Sequence, residues 1–227
     1  MPPKASAEFV WRMEDVLQVY ARPYDPAYPV VCLDETSKQL IGEIAPSQNV
    51  APGKPARQDY EYERKGVCNL FMMCQPLRGW RHVKVTQRRT RRDWAWCVKN
   101  LVDIYFPDAV KVVVVEDNLN THDGTSLYET FLPDEARRIL DRLEFHFTPK
   151  HGSWLDMAET ELSILSRQCL NRRIDNAEEL AREVSAWEQD RNDRQCQIHW
   201  TFTIAAARNK LAKLYPEIQR SPGTPPS

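Results

Sequence analysis

The sequence lacks the long apolar run that a membrane span requires, and its first residues, MPPKASAEF, lack the apolar centre of a secretory signal. Its formal net charge is -1 over 227 residues, so the whole chain carries no basic field of the kind that attracts nucleic acid. Internal repeats are also absent. These absences predict a cytoplasmic protein with one domain of ordinary to large size and no membrane partner.

Cysteine pairs are also missing, because none of the six cysteines forms a C-x-x-C motif. Most of them lie within apolar stretches, which favours buried free thiols in a reducing compartment over disulfides. Without paired cysteines, a zinc site is not expected.

Charge is unevenly distributed along the chain. Seven Lys or Arg and no acid lie between Arg78 and Arg92. Thr90-x-x-Asp93 has the form of a capping box, which predicts a helix that begins there with arginines in its first turn, where the helix dipole disfavours cations. A phosphate bound at this turn would account for both features, and solvated arginines are the alternative. The candidate DNA contacts here are Lys84, Arg88, Arg89, Arg91 and Arg92.

The spacing of apolar residues predicts an α/β fold, with a mixed sheet flanked by helices. Helices are predicted at 9–20, from Thr90, at 127–143, from Ser153 to Leu170, at 177–190 and at 204–214. Strands are predicted from Val30 to Asp34, at 60–76, at 80–87, over the valines of KVVVVEDNLNTH and at 143–149. A loop rich in Pro, Ala and Gly is predicted at 43–58.

Two of these strands are followed by acids. Asp34 is expected to end the first strand, and Asp117 follows the valine strand. If the strands are neighbours, two carboxylates about 4 Å apart repel by roughly 4 kcal/mol at an effective dielectric constant of 20. A divalent cation such as Mg²⁺ would offset this repulsion, and two such ions can clamp the attacking and leaving oxygens of a phosphodiester.

A third acid is expected from the helix predicted to begin at Ser153. Glu159 and Glu161 flank its apolar face on opposite edges, and Asp156 is expected to point further out. Periodicity alone therefore leaves the choice between Glu159 and Glu161 open.

Three segments resemble the catalytic segments of bacterial insertion-sequence transposases of the six-thirty family, within the mariner superfamily. They are VVCLDETSKQLIGE, VVEDNLNTH and EFHFTPKHGSWLDMAETELSILSRQCLNRR, and the resemblance runs from about Met13 to Ile218. It implies an RNase H-like fold in which Asp34, Asp117 and Glu159 are catalytic and hold two Mg²⁺ or Mn²⁺ ions.

The same resemblance suggests supporting residues. Asn118 and His122 match a D-N-x-x-x-H element, although hydrogen bonding within the loop is an equally open role for them. Lys150 and His151 precede the helix of Glu159 and are candidate DNA contacts. Glu116 and Asp156 depart from the family pattern, which more often has an apolar residue and an Asn there. Because neighbours in a strand point to opposite faces, we expect Glu116 to point away from Asp117.

The function implied by the resemblance is the cutting and joining of DNA at the terminal inverted repeats of an insertion sequence and at target DNA. The partners would be DNA and either further copies of the chain or a helix-turn-helix protein, at the bacterial nucleoid. Full-length members carry an N-terminal helix-turn-helix region, and this sequence begins only about thirty residues before Asp34. A truncated, non-mobile remnant that binds DNA or pairs with an intact transposase without catalysis is the alternative, followed by another RNase H-like nuclease.

The resemblance, together with the composition of the C-terminal residues RSPGTPPS, predicts a division of the chain. The expected parts are a linker-helix remnant at 1–28, a catalytic domain at 29–175, a helical extension at 176–218 and a disordered tail at 219–227.

Overall fold

The structure is a computed structural model that describes residues 6–43, 62–117 and 123–217. Most of the predicted loop at 43–58, the predicted tail at 219–227, and the two supporting candidates Asn118 and His122 lie outside the described residues.

Five strands form a mixed sheet in the described part of the chain. They are β1 (Val30–Glu43), β2 (Tyr62–Gln75), β3 (Trp80–Thr86), β4 (Val112–Glu116) and β5 (Leu143–Phe147). Their order across the sheet is β3-β2-β1-β4-β5. The first three strands pair antiparallel, whereas β4 is parallel to both β1 and β5. The predicted mixed sheet is therefore confirmed.

Helices cover both faces of this sheet. They are α1 (Ala7–Tyr20), α2 (Arg91–Asn100), α3 (Gly124–Thr130), α4 (Pro133–Asp141), α5 (Met157–Leu165), α6 (Ala177–Asp193) and α7 (Ile204–Lys210). A π-helical turn, Leu101–Tyr105, extends α2, and another, Ser166–Leu170, extends α5. Short 3-10 turns lie at Ser153–Leu155 and Ala212–Leu214. Within these described ranges, no helix has the length and apolar character needed to cross a membrane.

The four valines of β4 separate two apolar clusters. Val113 and Val115 pack with α1, α5, α6 and α7 on one face, while Val112 and Val114 pack with α2, α3 and α4 on the other. A parallel strand that is buried on both faces needs apolar side chains at every position, which explains the uninterrupted run. All six cysteines are free and four are buried, as predicted.

The expected end of β1 at Asp34 is wrong. The strand pairs with β4 only over Val30–Cys32, but it continues to Glu43 because β2 pairs with it antiparallel along this length. Asp34 thus lies within a strand, opposite Met72, just beyond the end of the parallel pairing.

Two predicted helices are also corrected. The single helix at 127–143 is two helices, because Pro133 cannot donate within a helix and instead occupies the first turn of α4. The capping box expected at Ser153 is not formed. Asp156 caps α5 instead, and a short aspartate side chain is well suited to that position.

The N-terminal helix shares the core of the sheet. Phe9, Met13, Val16 and Leu17 of α1 are buried in the same cluster as α5, and Leu180 of α6 joins them. The division into a linker remnant, a catalytic domain and a helical extension stays a prediction.

Candidate active site

A cavity of about 520 Å³ opens at the edge of the sheet where β1 and β4 stop pairing. Its lining residues are Asp34, Asp117, Thr148, Pro149, Lys150, His151, Ser153, Asp156 and Glu159. The three acids assigned by the resemblance therefore border one space, together with the candidate DNA contacts Lys150 and His151.

Adjacent parallel strands bring the two aspartates to this edge. Cys32 of β1 pairs with Val115 of β4, and Asp34 and Asp117 each lie two residues beyond that pair. Because side chains alternate along a strand, both aspartates lie on the face that α5 covers.

The helix α5 supplies the third acid. Ala158 and Leu162 are buried against the sheet, and Glu159 in the first turn is exposed to the cavity. Glu161 points elsewhere. It is fully buried, and its carboxylate lies 3.1 Å from Arg81 and 2.8 Å from Arg191. Of the two glutamates that periodicity left open, only Glu159 lines the cavity.

The environment of Asp34 disfavours its ionised form. Burial raises the pKa of Asp34, and the charges of Glu35, Asp117 and Glu159 add to the rise. The backbone N–H of Glu35, which donates to Oδ1 at 2.8 Å, opposes it, and the resulting pKa is about 7. Like charges around one low-dielectric space resist simultaneous ionisation, and a bound cation would reverse that balance.

Asp156 also belongs to this cavity, so the expectation that it points outward is wrong. Its Oδ1 accepts a hydrogen bond from the backbone N–H of Ala158 at 2.7 Å, which holds the side chain against the start of α5. Burial raises the pKa of Asp156 well above its ordinary value, and the charges of Cys32 and Asp34 raise it further.

The donors at the cavity suit a hard divalent cation, because Mg²⁺ and Mn²⁺ prefer carboxylate oxygens and water. Over the three described ranges, no three His, Cys, Asp or Glu side chains are arranged as a group that could hold a metal ion. The chemistry of Asp34, Asp117 and Glu159 thus fits a divalent cation, although they do not form a closed set of direct ligands.

A profile of the DDE superfamily endonuclease family matches residues 29–181, which is more than half of the chain. The chain belongs to this family. A search of curated protein sequences finds no match.

Solved structures of a mariner transposase share the fold of this chain. The Mos1 mariner paired end complex with Mn is 15% identical, with a TM-score of 0.55, and the match covers 94% of this chain and 64% of that one. The Mos1 strand transfer complex is 13% identical, with a TM-score of 0.61 and coverages of 96% and 65%. The chain therefore spans slightly less than two-thirds of these relatives. At such identities the likeness shows the fold, which is RNase H-like.

A tight turn at 149–152 places the candidate DNA contacts Lys150 and His151 at the cavity wall. The N–H of Gly152 donates to the carbonyl of Pro149 at 2.8 Å, and His151 has a positive φ of 65°. A Cβ on Gly152 would lie 2.6 Å from Cγ of Pro149, so glycine is needed for this close approach. Lys150 and His151 are exposed and line the cavity.

Glu116 faces the opposite side of the sheet, as expected. It is fully buried, and its Oε2 accepts a hydrogen bond from Nε1 of Trp94 in α2 at 2.9 Å. The acid that departs from the family pattern is thereby kept apart from Asp117.

The basic stretch lies outside the cavity, and part of its charge is compensated. The capping box of Thr90 and Asp93 is formed as predicted. Arg89 lies 3.5 Å from the buried carboxylate of Glu35, and Arg91 lies 3.0 Å from Glu129. Among the other candidates in this stretch, Arg88 and Arg92 are exposed and Lys84 is half-buried. Glu129 therefore offsets the charge of Arg91, one of the two arginines in the first turn of α2.

Proposed function

We propose that this chain is the catalytic domain of a transposase of the six-thirty family that cuts and joins DNA phosphodiesters at the ends of an insertion sequence. The observation that carries the proposal is the meeting of Asp34, Asp117 and Glu159 at one cavity. These acids come from a strand, the end of a neighbouring strand and a helix, and they lie in the order that the resemblance assigns to the triad.

The three carboxylates would hold two divalent cations at the edge of the sheet. Held there, the cations would supply Lewis-acid activation of a water or a 3′-hydroxyl and stabilisation of the leaving oxygen. Asp34 lies in β1, whose pairing with β2 fixes its backbone, and Asp117 directly follows β4, which pairs with β1. Glu159 extends from the first turn of α5, where the positive end of the helix dipole favours a carboxylate.

The DNA backbone would lie across the cavity mouth. Lys150 and His151, which line the cavity, would bind a phosphate next to the carboxylates, and Arg88 and Arg92 would extend this contact along the duplex. The solved relatives are described as paired end and strand transfer complexes. By analogy, we expect the working assembly to contain DNA and either a second copy of this chain or a helix-turn-helix partner.

A nicking assay tests the proposal. The purified chain is incubated with supercoiled plasmid in Mn²⁺ or in EDTA, and nicked circles are quantified. We expect slow nicking in Mn²⁺, no nicking in EDTA, and loss of nicking in Glu159→Gln. Glu178→Gln is the matched control, because Glu178 is also an exposed glutamate in the first turn of a helix, α6, and does not line the cavity.

Equal nicking by wild type and Glu159→Gln would contradict the assignment of Glu159. Complete inactivity of the wild-type chain in Mn²⁺ would favour the alternative, a remnant that binds DNA or an intact transposase without catalysis.

A further inference from the structure

Only one of the two carboxylate oxygens of Asp156 accepts a hydrogen bond from a described residue. Oδ1 accepts the backbone N–H of Ala158, whereas Oδ2 is buried and has no hydrogen-bond partner among the residues that the structure describes. The residue is 3% exposed. A buried carboxylate oxygen without a partner costs free energy, so its retention calls for a ligand or a solvent molecule at that position.

The surroundings of Asp156 indicate which kind of ligand would bind its free carboxylate oxygen. The residue lines the same cavity as Asp34, Asp117 and Glu159, and no arginine or lysine is among the groups that most affect its carboxyl. Lys150 and His151 line the cavity as well, but their side chains are exposed on the turn before α5. The carboxyl group therefore faces an acidic space without a fixed cation of its own, and a mobile cation with its water is the group that would complement it.

We propose that Asp156 is a fourth acidic residue of the cation site, where its carboxylate accepts a hydrogen bond from a water molecule bound to the cation and thereby strengthens divalent-cation binding. This inference rests on the proposed function, because it requires a cation at Asp34, Asp117 and Glu159. Mg²⁺ usually keeps several of its waters in proteins, and acceptors for such waters orient the site.

The position of Asp156 also links the cation to the helix. Through Oδ1, the same side chain caps α5, which carries Glu159 three residues later. Asp156 is thus a positioning residue that would couple the hydration of the cation to the start of the helix that supplies the third acid.

Substitution by asparagine separates the two roles. Asparagine keeps an oxygen that can accept the Ala158 N–H, so the cap is preserved, but it removes the negative charge. Asp25→Asn is the matched control, because Oδ1 of Asp25 accepts the N–H of Ala27 at 2.8 Å in the same two-residue pattern, on an exposed loop that does not line the cavity.

The experiment is a Mn²⁺ titration of the full chain without DNA, followed by the electron paramagnetic resonance signal of free Mn²⁺. We expect Asp156→Asn to bind Mn²⁺ roughly 10- to 100-fold more weakly than wild type, as for other groups that hold the waters or ligands of a metal. Asp25→Asn should bind like wild type. The thermal midpoint of Asp156→Asn in EDTA should not fall below that of wild type, because asparagine preserves the cap, so a loss of Mn²⁺ affinity then reports on the removed charge and not on the fold.

Three outcomes would overturn the inference in distinguishable ways. If Asp117→Asn loses Mn²⁺ binding but Asp156→Asn retains wild-type affinity, Asp156 is a helix cap only and the proposed function stands. If wild type binds no Mn²⁺, both the inference and the cation-dependent function fail. If Asp156→Asn does not fold, Asp156→Ser, which also offers a capping oxygen, replaces it, and wild-type affinity in that variant would reject the inference.

Discussion

Two glutamates on α5 show how strongly the role of a residue depends on the direction in which its side chain leaves the helix. Glu159 and Glu161 are two positions apart, yet one is exposed at the cavity and the other is fully buried. Glu161 lies between Arg81, which is 1% exposed, and the half-buried Arg191, so that β3, α5 and α6 are joined by one ionic cluster. Such a cluster fixes the rotation of α5 and so keeps Glu159 directed to the cavity.

Replacing the two glutamates should change the stability of the fold by very different amounts. Glu161→Gln leaves Arg81 buried without its counter-charge, and we expect a loss of about 3–5 kcal/mol in the free energy of unfolding. Glu159→Gln, the matched control on the same helix, should change it by no more than about 0.5 kcal/mol. Urea denaturation in EDTA measures the free energy of unfolding of both variants. Equal losses in the two variants would show that the ion pairs of Glu161 do not hold α5 in place.

The raised pKa of Asp34 predicts that the free energy of unfolding depends on pH, and it also fixes the sign of that dependence. The ordinary pKa of 3.8 rises to about 7 in the folded protein. Between these values the folded state keeps a proton that the unfolded chain has lost, so the stability that depends on Asp34 is highest below about pH 4 and falls as the pH rises to about 7.

Asp34→Asn removes this dependence. Without divalent cations, the variant should gain stability relative to wild type as the pH rises from about 4 to about 8, by at most about 4 kcal/mol for three pKa units. Urea midpoints of the two proteins across this range provide the measurement, with the exposed Asp25→Asn as control. A difference that is constant with pH would mean that the carboxyl of Asp34 is not held in its neutral form.

At the residue scale, the sequence could identify the acids but not all of their surroundings. Asp34 and Asp117 follow apolar runs, and that pattern predicted that they meet at one edge if their strands are neighbours, which they are. Asp156 was missed as a lining residue because helical periodicity was extended backward through a 3-10 turn. The signal that could have found it is an aspartate directly before an apolar helical stretch, the usual composition of an N-cap.

At the scale of elements, the local sequence pattern predicted the type of each helix or strand better than its first and last residues. The hairpin pairing that carries β1 through polar residues to Glu43 is a tertiary contact, so no local signal marked the true end of that strand. By contrast, the break between α3 and α4 had a local signal in Pro133, because proline favours a first turn over a helix interior.

The arginines in the loop before α2 and in the first turn of α2 are expected to contribute to DNA binding. Replacing Arg88, Arg89, Arg91 and Arg92 with Ala should weaken binding to all duplex sequences alike, because phosphate contacts carry no sequence information. The slope of log affinity against log salt should flatten by about 0.9 for each lost phosphate contact. Fluorescence anisotropy with two unrelated duplexes at several salt concentrations measures both effects.

The control replaces four exposed arginines on the other elements. Arg137, Arg167, Arg182 and Arg194 belong to α4, the turn after α5, α6 and its C-terminal end. If this variant loses as much affinity as the first, binding depends on total charge and the stretch at α2 has no special part in it.

At the scale of the whole molecule, the sheet keeps two groups of acids apart. Asp34 and Asp117 face the side of α5, whereas Glu116 faces α2 and is bonded to Trp94. Alternation along the strand places each acid on its side, and the parallel pairing of β1 with β4 brings together the two that face the cavity. The mixed fold was predictable from the order of its elements, whereas the packing of α1 and α6 on the same cluster was not, because it depends on contacts distant in sequence.

The most direct measurement is the change in thermal midpoint when Mg²⁺ is added to wild type and to Asp117→Asn. A cation that binds only the folded arrangement of Asp34, Asp117 and Glu159 must stabilise it by mass action. The midpoint of wild type should therefore rise with Mg²⁺, and that of Asp117→Asn should rise far less, with Asp25→Asn behaving like wild type. Equal rises in wild type and Asp117→Asn would show that these carboxylates do not form a cation site.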